Sequence, residues 1–581
     1  MDLKRLYREL VRRNVFRAGV AYLAVAWVLV QIADTIFPAF DAPSYLMQGL
    51  IYLLAIGLVI WTAFSWIYDL TPEGIQKTSE DSDSSQTRKL NSRRLNAVIV
   101  GAGIAAVLLL LAGGFWAGSQ WKEGMESTGP SGLRIAVLPF ENRSENAEYE
   151  YLREGLAEDI IGRLVNARSV SVISSKSSFR FRDDDLPVDQ ICKNLSADMV
   201  LTGSFELTGQ RIAVKTELIR GEDQEIVSFA SMDGELSQIR DISNGIRNHI
   251  FEALGQSDAQ MQGSAIASLP EVNLEAYKYN ALGQSAMRDN TGQKLEEITR
   301  YFQAAIDLDP DYIDPYIGMA EAYIFDVNRG YISTTEGAGK ARKYALEAEK
   351  LNPGCGEVSC LMGIIHFLEF DFRNALPYFE MSLEKTPNYN LSYHWYAFTL
   401  EILGDFEEAE KYQKKAAVLD PLNAMNEAYL IMNYIFRKKY DSAGALINSR
   451  LSLEPNHKQT LWLKAFLLAE QGQFEEAHKT FMERGLGLET NFVYGYILGR
   501  QGQIEGAHLV LENMLKRPFI SPAQLAIVYC GLGRYNDALD QVEEAFLIHD
   551  GWIKWVIYSS MTDPIKKDPR YISIITRLGL N

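Results

Sequence analysis

The side chains to test first for chemistry are the seven histidines, His249, His366, His394, His457, His478, His508 and His549. Imidazole is the usual proton carrier and metal ligand near neutral pH. The seven are scattered, with no HExxH or similar metal-binding spacing. His366 and His394 stand at helical positions, where a satisfied polar contact is the expected role. The four cysteines, Cys192, Cys355, Cys360 and Cys530, are too few for a disulfide scaffold and lack the paired spacing of a zinc site. Buried packing is expected for them, with a local bridge between Cys355 and Cys360 as the alternative. The acid pairs Glu407-Glu408 and Glu475-Glu476 adjoin turns and read as solvated faces, because acid/base work needs a pocket that perturbs the carboxylates. GAGKAR at 337–342 lacks the spacing and the preceding strand of a phosphate-binding loop, and there is no nucleophile elbow. Gly101 and Gly103 imitate a dinucleotide-binding turn but sit inside an unbroken apolar run. No catalytic, cofactor-binding or metal-binding residue is expected, and the protein is not expected to be an enzyme.

Composition bears on partners and location. A formal charge of −18 and a pI near 5.0 oppose a general role on phosphate backbones, so nucleic acid is not an expected partner. Three apolar stretches, at about 18–37, 46–67 and 97–118, reach the roughly 20 residues that a helix needs to cross a bilayer. Lys4, Arg5, Arg8, Arg12, Arg13 and Arg17 precede the first. Lys77, Arg88, Lys89, Arg93 and Arg94 lie between the second and third, whereas the connection at 38–45 carries no Lys or Arg. This asymmetry predicts a basic cytoplasmic N-terminus (1–17), a three-helix membrane region (18–118) with a cytoplasmic loop at 68–96, and a periplasmic remainder. A multi-pass protein of the bacterial inner membrane, in contact with the lipid bilayer, is the expectation.

After a linker at 119–132 the pattern becomes that of a small α/β unit at 133–256. Strands are expected at 134–140, 170–181, 199–206 and 212–219, and helices at 150–166, 188–195 and 236–254. The runs IAVLPFENRS (135–144), EYLREGLAEDIIGRL (150–164), VISSKSSFRF (172–181) and ADMVLTGSF (197–205) resemble the TolB-like domain of bacterial envelope proteins. The whole chain is similar to membrane proteins that join such a domain to tetratricopeptide repeats, including cyclase-like and CadC-like relatives. The resemblance implies no cyclase or winged-helix module here, since only residues 1–17 precede the first apolar run.

Past a connection at 257–278, two columns repeat every thirty-four residues: Pro353, Pro387, Pro421, Pro455, and Ala341, Ala375, Ala409, Ala443, Ala477. This is the tetratricopeptide period of two helices per repeat. A small Ala lets the second helix approach the first, and Pro ends it. About eight units are expected over 279–552, beginning near Tyr279, Ile313, Gly356, Asn390, Ala424, Lys458, Leu488 and Phe519, with a capping segment at 553–581. The fold class is therefore mainly α: three transmembrane helices, a TolB-like α/β domain and an α-solenoid. The repeat family implies that first-helix positions face the concave surface, which places Leu391, His394, Phe398, Trp462 and Phe466 there as candidate protein-binding residues. The expected function is a membrane-tethered extracytoplasmic scaffold that binds other proteins or peptide segments of the envelope, with a transmembrane signalling adaptor as the alternative. No cofactor is implied.

Overall fold

The computed structural model describes residues 132–144, 146–182, 186–255, 272–289, 295–484, 490–517 and 520–580, with scattered positions between 22 and 77. The chain divides into two compact units, Met1–Thr128 and Gly129–Asn581.

In the first unit the described residues include helical positions 22–24, 26–27 and 29–31 and a hairpin of β1 (Tyr68–Thr71) and β2 (Gly74–Lys77). The two strands pair antiparallel, Tyr68 opposite Lys77 and Thr71 opposite Gly74. The expectation of three transmembrane helices is corrected here: among the described residues no helix is long and apolar enough to cross a membrane. The multi-pass inner-membrane location is corrected with it. An apolar run meets the length requirement of a bilayer only as one continuous helix of roughly 20 residues, and the described helical pieces do not reach it. The third expected span, 97–118, lies outside the described residues.

The second unit opens with a mixed sheet of strand order β5-β3-β6-β7-β8. Its strands are β3 (Leu133–Val137), β4 (Glu141–Asn142), β5 (Val170–Val172), β6 (Met199–Thr208), β7 (Arg211–Arg220) and β8 (Ile226–Glu235). β3 runs parallel to β5 and β6, β4 pairs with β6 beside it, and β6, β7 and β8 are antiparallel. Helices α1 (Tyr151–Leu164), α2 (Ser175–Ser178), α3 (Val188–Leu195) and α4 (Ile239–Ala253) complete the domain. The strand expected over 170–181 stops at Val172, because Ser174 accepts a hydrogen bond from the Ser177 amide and caps a helical turn. Strand β8 was not expected; its exposed and half-buried alternation gives it little apolar signal.

Eight helix pairs follow among the described residues. They are α5 (Leu274–Asp289) with α6 (Leu295–Leu308), α7 (Asp314–Asn328) with α8 (Thr334–Leu351), α9 (Gly356–Leu368) with α10 (Phe372–Lys385), and α11 (Asn390–Ile402) with α12 (Phe406–Leu419). Next come α13 (Ala424–Phe436) with α14 (Tyr440–Leu453), α15 (Lys458–Glu470) with α16 (Phe474–Arg484), α17 (Phe492–Arg500) with α18 (Ile504–Leu515), and α19 (Pro522–Gly531) with α20 (Tyr535–Leu547). The chain is thus a tetratricopeptide-type array, and Ala341, Ala375, Ala409, Ala443 and Ala477 are all fully buried in it. The tight turn within a pair needs a left-handed residue, supplied by Gly404 and Gly472 but by Phe370 and Lys438 in two other repeats. Two short helices, α21 (Ile553–Tyr558) and α22 (Pro569–Arg577), end the chain.

The α/β domain is held on the repeats by two inter-repeat loops. The Asn388 amide donates to the carbonyls of Ala167 and Val170 at 2.6 and 3.0 Å, and its oxygen accepts from the Val172 amide at 3.3 Å. Asp420 accepts from the Ser174 and Ser177 hydroxyls at 2.7 and 2.6 Å. Arg288 on α5 adds ion pairs to Glu154 at 2.6 Å and Glu158 at 2.8 Å. Because Asn388 is buried, Asn388→Leu strands three backbone groups of β5 and its approach, at a cost of about 3 kcal/mol. Urea unfolding is expected to show that loss, with faster hydrogen exchange at the Val172 amide.

Candidate binding groove

The five candidate residues form two clusters on first helices. His394 and Phe398 are one turn apart on α11, so their side chains share a face. Their rings lie 5.0 Å apart, and Tyr429 of α13 closes a triangle at 4.6 and 4.8 Å. Trp462 and Phe466 repeat the spacing on α15, stacked at 5.8 Å. Leu391 is partly buried against the main core of the array.

The two clusters are joined by the end of the chain. The Lys554 ammonium on α21 reaches the Glu401 carboxylate at 2.6 Å, and the side chains are 4% and 1% exposed, which makes this a buried ion pair. The same ammonium sits 4.1 Å over the Phe398 ring and 5.7 Å from that of Phe436. Trp555, the next residue, has Phe466 at 4.5 Å, Phe436 and Phe492 at 5.3 Å, and Trp462 at 5.7 Å. Further along, the Tyr558 hydroxyl donates to the Ile402 carbonyl at 2.8 Å. The Ser559 hydroxyl and, at 2.9 Å, the Ser560 amide donate to the Glu470 carboxylate. The segment expected to cap the last repeat therefore also crosses to α11, α13 and α15.

Glu401 is the electrostatic centre of the arrangement. Its second oxygen accepts from Gln413 at 2.8 Å and Asn433 at 3.0 Å, so the buried carboxylate is fully hydrogen-bonded. Burial pushes the Glu470 carboxyl up, against the donors that favour its charged form. Burial lowers His394 to about 4, helped by the positive charges of Lys554 and Lys176. An imidazole neutral at physiological pH is an aromatic wall here, not a proton carrier. Lys176 belongs to α2, so charges of the α/β domain and of the C-terminal segment both act on His394.

Sequence reasoning missed Glu401, Phe436, Glu470, Phe492, Lys554 and Trp555. The available signal was a lone charge within an apolar run, Glu401 in FTLEIL and Lys554 in WIKWVIY. Among the described residues no group of three or more His, Cys, Asp or Glu could hold a metal ion. All four cysteines are free; Cys355 donates to Glu357 at 3.1 Å and Cys360 is fully buried.

Comparison with known proteins adds a name for one part. A family model described as "HilA/YgeH-like transcriptional regulator, second domain" matches residues 131–248, the α/β domain for which the sequence resembles a TolB-like domain. The chain is 26% identical over 194 residues to "Putative adenylate cyclase 3" of Rhizobium meliloti (strain 1021), covering 33% of this chain and 32% of that protein. It is 20% identical over 299 residues to "Transcriptional regulator HilA" of Salmonella typhimurium, covering 51% and 52%. The chain thus spans about a third to a half of the length of these curated relatives. Among solved structures, "YrrB: a TPR protein with an unusual peptide-binding site" is 17% identical over 36% of this chain and 94% of its own, with a TM-score of 0.24. Pseudomonas aeruginosa pilF is 13% identical over 42% and 98%, with a TM-score of 0.29. The repeat assignment rests on this chain's own helix pairs.

Two outcomes follow from the groove's charges. Glu401→Gln leaves Lys554 buried without its counter-ion and is expected to cost about 3 to 5 kcal/mol, whereas Glu401→Met with Lys554→Met recovers most of it; urea titration of both variants measures the difference. His394 has a lower pKa folded than unfolded, so the unfolded chain binds the extra proton between pH 6.5 and 4. Its stabilising contribution is complete above that window and is lost as pH falls through it. Relative to His394→Gln, the wild type is expected to lose about 2 kcal/mol between pH 7 and 4.

Proposed function

We propose that this protein is a non-catalytic scaffold whose repeat array recognises segments of other proteins through its concave groove. Leu391, His394, Phe398, Trp462 and Phe466 would line that groove, with Glu401 and Glu470 as its charged anchors. The observation that supports the reading is the seating of Lys554 and Trp555, one cation on a carboxylate and one large aromatic among four others. A central aromatic anchor beside a desolvated charge pair is the usual make-up of a protein-binding hot spot. An array of helix pairs supplies the long surface that such recognition uses. In this reading the α/β domain covers the earlier repeats through Asn388 and Asp420 and leaves specificity to the later ones.

Proximity labelling by the full chain in its host tests the reading. Trp462→Ala and Leu391→Glu are expected to reduce labelling of the wild-type partner set at least tenfold. Leu453→Ser and Leu509→Ser, at exposed positions on α14 and α18, are expected to leave it intact. Equal labelling by all four variants would remove the groove from the account.

A further inference from the structure

The groove already has an occupant, and its chemistry shows what kind of partner could replace it. We propose that residues 552–566 are a built-in competitor for the groove, and that a partner enters by displacing them with a helical segment that carries a lysine directly followed by a tryptophan. The inference rests on the reading of the groove as a protein-binding surface.

Three observations support it. Beside its buried apolar side chains, the segment brings polar and charged groups to the groove: Lys554 on Glu401, Tyr558 on the Ile402 carbonyl, and Ser559 and Ser560 on Glu470. A buried ion pair contributes little net stability against an apolar substitute, yet it rejects every ligand without a matching cation. The polar contacts select the occupant, and the buried apolar side chains of Ile553, Trp555 and Val556 hold it.

The carboxylate is also prepared independently of the occupant. Gln413 and Asn433, from α12 and α13, hold one oxygen of Glu401 and leave the other for Lys554. Phe398 and Phe436 give the ammonium two ring faces. If the segment left, Glu401 would keep two donors and lack a cation, so the vacant groove would select a positively charged replacement. The aromatic box of Phe436, Trp462, Phe466 and Phe492 would then select a large flat ring beside that charge.

Finally, the segment is short and is joined to the array through a strained corner. Helix α21 has only six residues, far below the length at which an isolated helix is stable in water. It follows α20 by way of His549, whose φ of 55° is left-handed for a non-glycine residue. Its helical form therefore depends on the groove and on the last repeat, against which it also packs.

The test uses the full chain and a fluorescein-labelled peptide of residues 550–567, DGWIKWVIYSSMTDPIKK, followed by anisotropy. In the wild type the tethered segment competes at a high effective concentration, so the labelled peptide is expected to bind weakly. Lys554→Ser with Trp555→Ser weakens the competitor, and the peptide is expected to bind this variant at least tenfold more tightly. A peptide with the lysine changed to Glu and the tryptophan to Ala is expected not to bind, and adding Glu401→Gln to the double variant is expected to weaken binding at least tenfold. A folded double variant that binds the peptide no better than the wild type would overturn the proposal. If the double variant does not fold, hydrogen exchange on the wild type decides instead. Amides 553–558 that exchange by local opening, well before those of α15, support displacement, and exchange only with global unfolding overturns it. If displacement fails while Trp462→Ala still loses its partners, the groove reading stands without the competitor. If the peptide binds as expected but groove variants keep all partners, the groove is self-binding and the scaffold reading fails.

Discussion

The buried pair of Glu401 and Lys554 constrains the rest of the structure, because it ties the middle of the helix-pair array to the C-terminal segment. Taking a carboxylate and an ammonium out of water costs several kcal/mol each, and the cost is met only when both are fully partnered. Gln413, Asn433 and Lys554 together satisfy Glu401, and the first two come from the array itself. The third has to be delivered by α21, some hundred and fifty residues further along the chain. Once Lys554 is in place, Trp555 can reach only the aromatic rings of α13, α15 and α17, and Tyr558 and Ser559 follow onto Ile402 and Glu470.

The α/β domain is attached to the same array. Its two attachment residues, Asn388 and Asp420, lie in consecutive inter-repeat loops beside the prolines that end the second helices. Each satisfies backbone or hydroxyl groups that the α/β domain leaves unpaired at β5 and α2. The charges of Lys176 in this domain and Lys554 in the C-terminal segment add to burial in keeping His394 neutral.

The helix-pair solenoid was legible because a thirty-four-residue period imprints on residues that have a single physical job. The alanines at the helix crossings are fully buried in all five repeats, and the prolines stand where second helices end. The three membrane spans were not legible in the same way, since apolar length alone does not establish a helix of that length. Serine capping replaced the expected strand at 173–181, and β8 was hidden by its mixed exposure. In the groove, the period located residues on first helices but could not show what faces them. The period placed Phe398 and Trp462 on first helices, whereas Glu401 and Lys554 find each other across a sequence distance that no local pattern spans.

The central claim is that the C-terminal segment occupies the concave face, and site-specific photocrosslinking tests it most directly. With benzoylphenylalanine in place of Trp555 in the full chain, the account predicts crosslinks to peptides from 424–436, 458–470 and 492–500. Crosslinks confined to 522–547, or to other molecules, would show that the segment only caps the last repeat and leaves the groove open.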